Sequence, residues 1–127
     1  MIDRAYVAGW LNRYVQAWQN YNVDAIKTLF SADATYLYNP WDTEPVRGRD
    51  AIALNWIEDR DEPGSWQASY TPVAVEGNTA VAQGRTIYFE ADKKTPRRQF
   101  DNIFVMRFND QGECTEFTEW FMQPRRS

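Results

Sequence analysis

The spacing of apolar residues changes once along the chain, from a helical period before residue 60 to alternation after Trp66. Residues 3–20 place apolar side chains three and four positions apart, which predicts a helix with a wide apolar arc. A second, short helix is predicted after Asn22, a favourable N-cap. Helices followed by a meander of antiparallel strands predict an α+β fold. The predicted long strands, which are rich in β-branched and aromatic residues, are 66–75, 79–90, 97–109 and 113–123.

The stretch 32–57 joins these two halves and predicts a strand, a loop and a third helix. Residues 34–38 suit a short strand, which Asn39 and Pro40 end because proline has no amide hydrogen to donate. Asp50 is the expected N-cap of the helix that follows. A strand that ends in such a kink usually ends at the mouth of a cavity, so we expect a cavity here.

Aromatic residues make up 16% of the chain, with six Trp, seven Tyr and seven Phe. The 127 residues suffice for one domain, which we assign to residues 1–127 with a short loose tail at 124–127. A domain of this size rarely needs so many rings for its core. We therefore expect some of them to line a pocket for a small hydrophobic molecule.

Histidine is absent, which excludes Ser-His-Asp and Cys-His nucleophiles and nearly all zinc sites. We expect no metal and no cofactor. The one cysteine, Cys114, cannot form an intrachain disulfide, and strand alternation places it on the outer face of the sheet. No apolar run has the length of a membrane span, and the first residues do not form a signal peptide. These features predict a cytoplasmic protein, and the net charge of −4 argues against nucleic-acid or membrane partners.

The order of the predicted elements and six short motifs resemble one superfamily. The motifs are Arg13-Tyr14-Val15, Leu29-Phe30-Ser31-Ala32-Asp33-Ala34-Thr35, Thr43-Glu44-Pro45, Gly48-Arg49-Asp50-Ala51-Ile52, Met106-Arg107-Phe108-Asn109 and Glu119-Trp120-Phe121. The chain resembles the nuclear transport factor 2-like (SnoaL-like) superfamily, with likeness to ketosteroid isomerase and limonene-epoxide hydrolase. The resemblance covers nearly the whole chain. It implies a cystatin-like cone in which three N-terminal helices pack on a strongly curved antiparallel sheet.

The resemblance to ketosteroid isomerase is incomplete at the residues that act in that enzyme. Tyr14 matches the tyrosine that donates to the oxyanion. The general base falls at Tyr38 or Asn39, neither of which can serve as that base. The second acid falls near Phe104, which cannot donate a hydrogen bond. Steroid isomerisation is therefore not expected.

The resemblance to limonene-epoxide hydrolase implies a different set of residues. Arg85 and Glu119 align with the arginine and the basic carboxylate of that enzyme, and Tyr36 aligns with its water-holding tyrosine. Ile87 replaces the proton-donating aspartate and Tyr38 replaces the water-binding asparagine. What remains is a carboxylate beside an arginine in an aromatic cavity, with Glu119, Arg85 and Tyr36 as the catalytic candidates.

The alternation of side chains along a strand predicts which of these residues lie on the inner face of the sheet and which lie on the outer face. We expect Arg85 to point inward and to hold Glu119 ionised, either as a functional pair or as a buried ion pair that rigidifies the fold. Asn102 is placed inward and Asp101 outward, although a shift of one residue would exchange them. The residues expected to line the ligand site are Tyr14, Tyr38, Trp10, Trp56, Asn102, Phe104 and Phe117.

Two classes of function follow from this pattern. The first is a small-molecule-binding protein with cofactor-free isomerase, hydrolase or cyclase chemistry. The second is a non-catalytic ligand-binding or dimerisation module. In both cases we expect a homodimer through the convex face of the sheet, which would carry the apolar row Tyr88, Ile103, Val105 and Trp120.

Overall fold

Three helices and a six-stranded sheet make up the structure, a computed structural model that describes residues 2–123. The tail predicted at 124–127 lies outside the described residues. No helix within 2–123 has both the length and the apolar character needed to cross a membrane. In chain order the elements are α1 (Arg4–Asn20), α2 (Val23–Leu29), β1 (Phe30–Leu37), β2 (Val46–Arg47), α3 (Arg49–Glu58), β3 (Trp66–Glu76), β4 (Thr79–Phe89), β5 (Pro96–Phe108) and β6 (Cys114–Met122).

Side-chain caps fix where the first two helices begin. Asp3 accepts a hydrogen bond of 2.7 Å from the amide of Tyr6, and Asn22 accepts one of 3.1 Å from the amide of Ala25. These carboxylate and amide oxygens satisfy helix amides that have no partner within the helix. The N-cap of α3 is Gly48 at φ 89°, so the prediction of Asp50 as the cap is wrong.

The sheet is mixed, with the strand order β2-β1-β6-β5-β4-β3. β3 to β6 form the predicted antiparallel meander. β1 pairs with β6 in parallel, so the expectation of a wholly antiparallel sheet is wrong. Parallel strands need a long crossover connection, and here α3 and the strands β3 to β5 lie between β1 and β6 in the chain.

From Ala80 to Thr86 the inner face of β4 carries small side chains. Ala80 and Ala82 are fully buried and Thr86 is nearly so, whereas Arg85 is exposed. The prediction that Arg85 points inward is therefore wrong. Larger apolar side chains of β4 occupy the outer parity, and the small ones inside leave room for aromatic rings from other elements.

Gly84 provides the closest approach between β4 and its neighbour. It pairs with Tyr70 of β3, and a Cβ at Gly84 would lie 2.1 Å from the carbonyl oxygen of Ser69 and 2.3 Å from Cδ1 of Tyr70. Only glycine therefore leaves room for the Tyr70 ring and the Ser69 carbonyl group at this position.

The buried position of Cys114 corrects another prediction from alternation. The register between β5 and β6 shifts between Arg107 and Phe108, so that Phe108 pairs with Cys114 and Thr115 is skipped. A bulge of this kind reverses the inside–outside parity of the residues beyond it. Cys114 is consequently fully buried instead of facing outward.

Candidate functional site

A cavity of about 270 Å³ lies between the helices and the inner face of the sheet. Most of its lining is aromatic, contributed by α1, α3 and the strands β1, β3, β4, β5 and β6. The aromatic lining residues are Tyr14, Trp18, Tyr21, Tyr36, Tyr38, Trp56, Tyr70, Tyr88, Phe100 and Phe121. The polar ones are Asn55, Asp59, Thr86, Asn102 and Glu119.

Glu119 is the acid that β6 presents to this cavity. The side chain is half-buried, and its Oε1 accepts a hydrogen bond of 3.2 Å from Nδ2 of Asn102. Burial raises the pKa of the Glu119 carboxyl to about 7, although the Asn102 hydrogen bond lowers it. A carboxyl with such a pKa exchanges protons readily near neutral pH.

A chain of hydrogen bonds across four strands ends at Glu119. Thr86 Oγ1 donates to Oδ1 of Asn102 at 3.0 Å, and Thr86 Oγ1 and the Tyr70 hydroxyl lie 2.6 Å apart. Because a threonine hydroxyl has one proton and Asn102 uses it, the Tyr70 hydroxyl donates to Thr86. Every donor in the chain Tyr70–Thr86–Asn102–Glu119 thus points towards the carboxyl, which polarises the chain to favour negative charge there.

Two tyrosine hydroxyls form a second polar group in the cavity. The hydroxyl oxygens of Tyr14 on α1 and Tyr36 on β1 lie 2.7 Å apart. The pair holds two protons and uses one between the two oxygens, so one hydroxyl proton is available to a ligand. The Tyr36 ring stacks on Phe117 at 4.6 Å between centroids, which fixes its orientation.

The charge of Glu119 acts on the tyrosines around it. Burial is the largest cause that raises the pKa of Tyr14 and Tyr36 well above the ordinary value of 10.0, and Glu119 raises both further. Burial also raises the pKa of Tyr88 to about 12, again with a contribution from Glu119. These hydroxyls therefore stay protonated at neutral pH and serve as hydrogen-bond donors.

Tyr38 lies where the cavity opens to solvent. Its side chain is 37% exposed, and its hydroxyl donates to Oδ1 of Asn55 on α3. Asp59, at the end of α3, contributes an exposed carboxyl to the same lining. The cavity thus has a carboxyl inside and another at its rim.

Six of the residues predicted for the site line this cavity: Glu119, Tyr36, Tyr14, Tyr38, Trp56 and Asn102. Arg85 does not. Its Nε pairs at 3.0 Å with Oδ1 of Asp101 on the outer face of the sheet, where both side chains are about half exposed. The expected pair with Glu119 is absent for this reason, and burial governs the Glu119 pKa instead of an arginine.

Three predicted lining residues belong to the core behind the cavity. Trp10 and Phe117 are fully buried and Phe104 is 1% exposed. Trp10 Nε1 donates to the carbonyl oxygen of Leu29 at 3.1 Å, so its polar atom is already satisfied. These rings support the cavity wall by packing against Tyr14.

Sequence reasoning missed the hydrogen-bonded residues Tyr70 and Thr86. The signal was present, because Ala80, Ala82 and Thr86 share one parity on β4 and small residues indicate a face crowded by rings. Asn55 and Asp59 were missed because the helical period shows which residues share a face and does not show which end of the helix meets a cavity.

No three His, Cys, Asp or Glu side chains within residues 2–123 converge in a group suited to hold a metal ion. The lining residues offer hydrogen-bond donors, one inner carboxyl and aromatic faces. This set can bind a small apolar molecule and exchange a proton with it.

Comparison with known proteins agrees with this architecture. The model of the SnoaL-like domain matches residues 11–117. No curated protein sequence matches the chain. An NTF-2 like protein of unknown function from Burkholderia xenovorans has a similar structure, with a TM-score of 0.72, 20% identity, and coverage of 97% of this chain and 88% of that one. A putative ketosteroid isomerase from Kribbella flavida gives a TM-score of 0.71 and 17% identity over 98% and 84% of the two chains.

At such identities the two solved structures support the fold alone, whereas the domain match spans most of the sequence and includes Tyr14, Tyr36, Tyr70, Thr86 and Asn102. The chain belongs to the SnoaL-like family.

Proposed function

We propose that this SnoaL-like protein binds a small, mostly apolar molecule in its aromatic cavity and that Glu119 exchanges a proton with the ligand. The observation that carries the proposal is a carboxyl that opens into an aromatic cavity and has one hydrogen-bond partner, the Asn102 amide, among the described residues. A titratable carboxyl in a pocket with few convergent polar groups is typical of a binding or reaction site.

The polar groups favour proton exchange over the reactions of the two resembled enzymes. The positions of the isomerase acids are occupied by Tyr38 or Asn39 and by Phe104, which is part of the core. The arginine expected for hydrolase chemistry lies on the other face of the sheet. Glu119, by contrast, lines the same cavity as the hydrogen-bonded hydroxyls of Tyr14 and Tyr36, so a base and a hydrogen-bond donor are available to one ligand.

A small neutral carbon acid tests both parts of this proposal. We suggest 2-indanone, with binding followed at the indole N–H signal of Trp56 by NMR. Exchange of its α-hydrogens is followed in deuterated water at neutral pH. In this exchange Glu119 takes an α-proton from the ketone, the resulting enolate accepts a hydrogen bond from the tyrosine pair, and a deuteron returns to the same carbon.

The matched variants are Glu119→Gln and Glu116→Gln, two substitutions on β6, of which the second lies on the exposed outer face. We expect Glu119→Gln to bind 2-indanone and to lose the catalysed exchange, and Glu116→Gln to retain both. Binding without exchange in the unmodified protein would favour the non-catalytic module. Failure of this ligand and of other small apolar ligands to bind would overturn the proposal.

We also propose that two copies associate through the outer face of the sheet. Ile103, Trp120 and Met122 are 38%, 47% and 71% exposed there. Their flanks carry the pairs Arg85–Asp101 and Arg107–Glu116, so the patch contains both signs of charge and would not repel a second copy. Tyr88, which the sequence placed in this apolar row, lines the cavity instead.

A further inference from the structure

We propose that the polar end of the ligand is a cation, so that the cavity accepts a small amine or ammonium compound with an apolar body. The inference rests on the proposed function and names the substrate class for the same cavity. It follows from the charges, the ring faces and the size of the site.

The charge balance of the lining is negative. Its charged residues are Glu119 and Asp59, and among residues 2–123 it contains no lysine or arginine. In the described part of the chain, Glu119 also takes part in no ion pair. An enclosed carboxylate without a counter-ion is costly, and a ligand that brings a positive charge would supply the missing partner.

Aromatic rings line the same cavity as the Glu119 carboxyl and suit a cationic ligand. Tyr14 meets Trp56 edge-to-face at 5.1 Å between centroids, and Tyr36 lies 4.7 Å from Tyr38. Tyrosine and tryptophan faces attract ammonium groups through their quadrupoles. The lining residue Phe100 already carries a cation over its ring, because the guanidinium carbon of the exposed Arg98 lies 5.9 Å from its centroid.

The acidic side chains in and near the cavity favour a bound cation over a bound anion. Burial is the largest cause that raises the pKa of five tyrosines in the lining, and the charge of Glu119 raises it further at each of them. Asp59 acts in the same direction on Tyr38 and Asp61 on Tyr88, whereas Arg98 opposes them at Tyr88. The tyrosines concerned are Tyr14 on α1, Tyr36 on β1, Tyr38 just after β1, Tyr70 on β3 and Tyr88 on β4.

The volume of the cavity limits the size of the cationic ligand. The volume of about 270 Å³ is close to the lower end of the range of about 300–1,000 Å³ for ligand pockets. A compound with one ring and one ammonium group is of the right scale. Its ring would pack among the aromatic side chains while its ammonium group meets Glu119.

Three probes of nearly equal shape and different charge test the inference. They are benzyltrimethylammonium, the neutral neopentylbenzene and the anion phenylmethanesulfonate. Each is titrated into the unmodified protein at pH 6 and pH 8, with tryptophan fluorescence as the readout. The quaternary cation cannot lose a proton, so any pH dependence of its binding reports the protein.

We expect benzyltrimethylammonium to bind about tenfold more tightly than neopentylbenzene at pH 8, since cation–π contact and a carboxylate both favour it. The advantage shrinks at pH 6, where Glu119 is mostly protonated. Glu119→Gln should remove the pH dependence and reduce the preference for benzyltrimethylammonium over neopentylbenzene. Asp59→Asn should weaken cation binding at both pH values and leave its pH dependence in place.

The outcomes separate the two proposals. Equal or tighter binding of neopentylbenzene at both pH values would overturn the cationic ligand while the apolar cavity site stands. The tightest binding by phenylmethanesulfonate would overturn it as well. If none of the three probes binds at either pH, both the cationic ligand and the proposed function fail.

Discussion

The side-chain amide of Asn102 donates to Oε1 of Glu119 at 3.2 Å, on adjacent strands of the inner sheet face. This contact opposes burial, which raises the pKa of Glu119 to about 7. Burial is the larger of the two effects, because one neutral amide replaces only part of the water that a carboxylate would bind. The pair therefore keeps Glu119 near its midpoint at neutral pH.

Substitution of Asn102 should move this midpoint upward. Asn102→Leu keeps approximate size and removes the one hydrogen bond that favours the carboxylate, so the pKa of Glu119 should rise further above its ordinary range. The titration of the Glu119 side-chain carboxyl, followed by carbon-13 NMR, measures the change. Arg85→Ala is the control, since Arg85 lies on the opposite face and should leave the titration unchanged. An unchanged midpoint in Asn102→Leu would contradict the role of this contact.

Glu119→Gln should make the protein more stable at alkaline pH. The folded pKa of about 7 exceeds the ordinary value of 4.5, so the folded state holds this proton more tightly than the unfolded state. The stability that the protonated group provides is complete below about pH 4.5 and is lost as pH rises to 7. The loss amounts to about 2–3 kcal/mol once partial exposure is allowed for, and a neutral glutamine avoids it.

Thermal unfolding of Glu119→Gln and the unmodified protein at pH 5 and pH 8 measures this effect. The melting temperature of the variant should exceed that of the unmodified protein by more at pH 8 than at pH 5. Glu116→Gln, whose carboxylate is about half exposed on the outer face, should show no such trend. A variant less stable than the unmodified protein at pH 8 would instead reveal a counter-ion for Glu119.

Alanine substitutions at Gly84 and Gly9 test two different effects on stability. The first tests a steric requirement for glycine, and the second tests the low helix propensity of glycine. Gly84→Ala places a methyl group 2.1 Å from the Ser69 carbonyl oxygen, so β3 or the Tyr70 ring must move, and we expect a loss of about 3 kcal/mol. Gly9→Ala, on an exposed helix position with nothing within 4 Å, should add about 0.5–1 kcal/mol. Urea unfolding of both variants checks these values. A neutral Gly84→Ala would contradict the described contact between β3 and β4.

The dimer proposal predicts a specific dissociation. Trp120→Glu places a charge in the centre of the exposed apolar patch on the outer face, and it should shift the protein from dimer to monomer. Sedimentation at micromolar concentration measures the mass. Leu54→Glu, on an exposed position of α3, is the matched control and should remain dimeric. A monomeric unmodified protein would refute the proposal.

Much of the architecture could be predicted from local patterns. The helical period before residue 60 and the turns between long alternating runs predicted three helices and the antiparallel meander, and all are present. The parallel partner of β1 could not be predicted this way, because the residues in and around β1 do not indicate which distant strand it pairs with. The bulge beside Cys114 was missed because alternation assumes an uninterrupted ladder.

For the candidate site, too, local patterns placed some residues correctly and others wrongly. Glu119 and Asn102 were placed inward by the alternation of β6 and β5, and both line the cavity. The prediction that Arg85 points inward was wrong because alternation separates two faces of a strand without showing which one is buried. The inner face was assigned from the resemblance to limonene-epoxide hydrolase. The buried alanines on the other parity of β4 carried the better information, since an inner face crowded by rings has little room for a guanidinium group.

The parallel pairing of β1 with β6 has a consequence for the order in which the protein can assemble. Thr35 and Tyr36 find their partners Glu116 and Phe117 near the far end of the described chain, so the wall holding the tyrosine pair is completed only when β6 arrives. During synthesis on the ribosome, β1 and β5 would each have an unpaired edge until β6 is made, and such edges can pair with other chains. Such distant pairing also slows folding, because a long loop must close before its contacts form. The strand that carries Glu119 is thus also the strand that covers the open edges of β1 and β5.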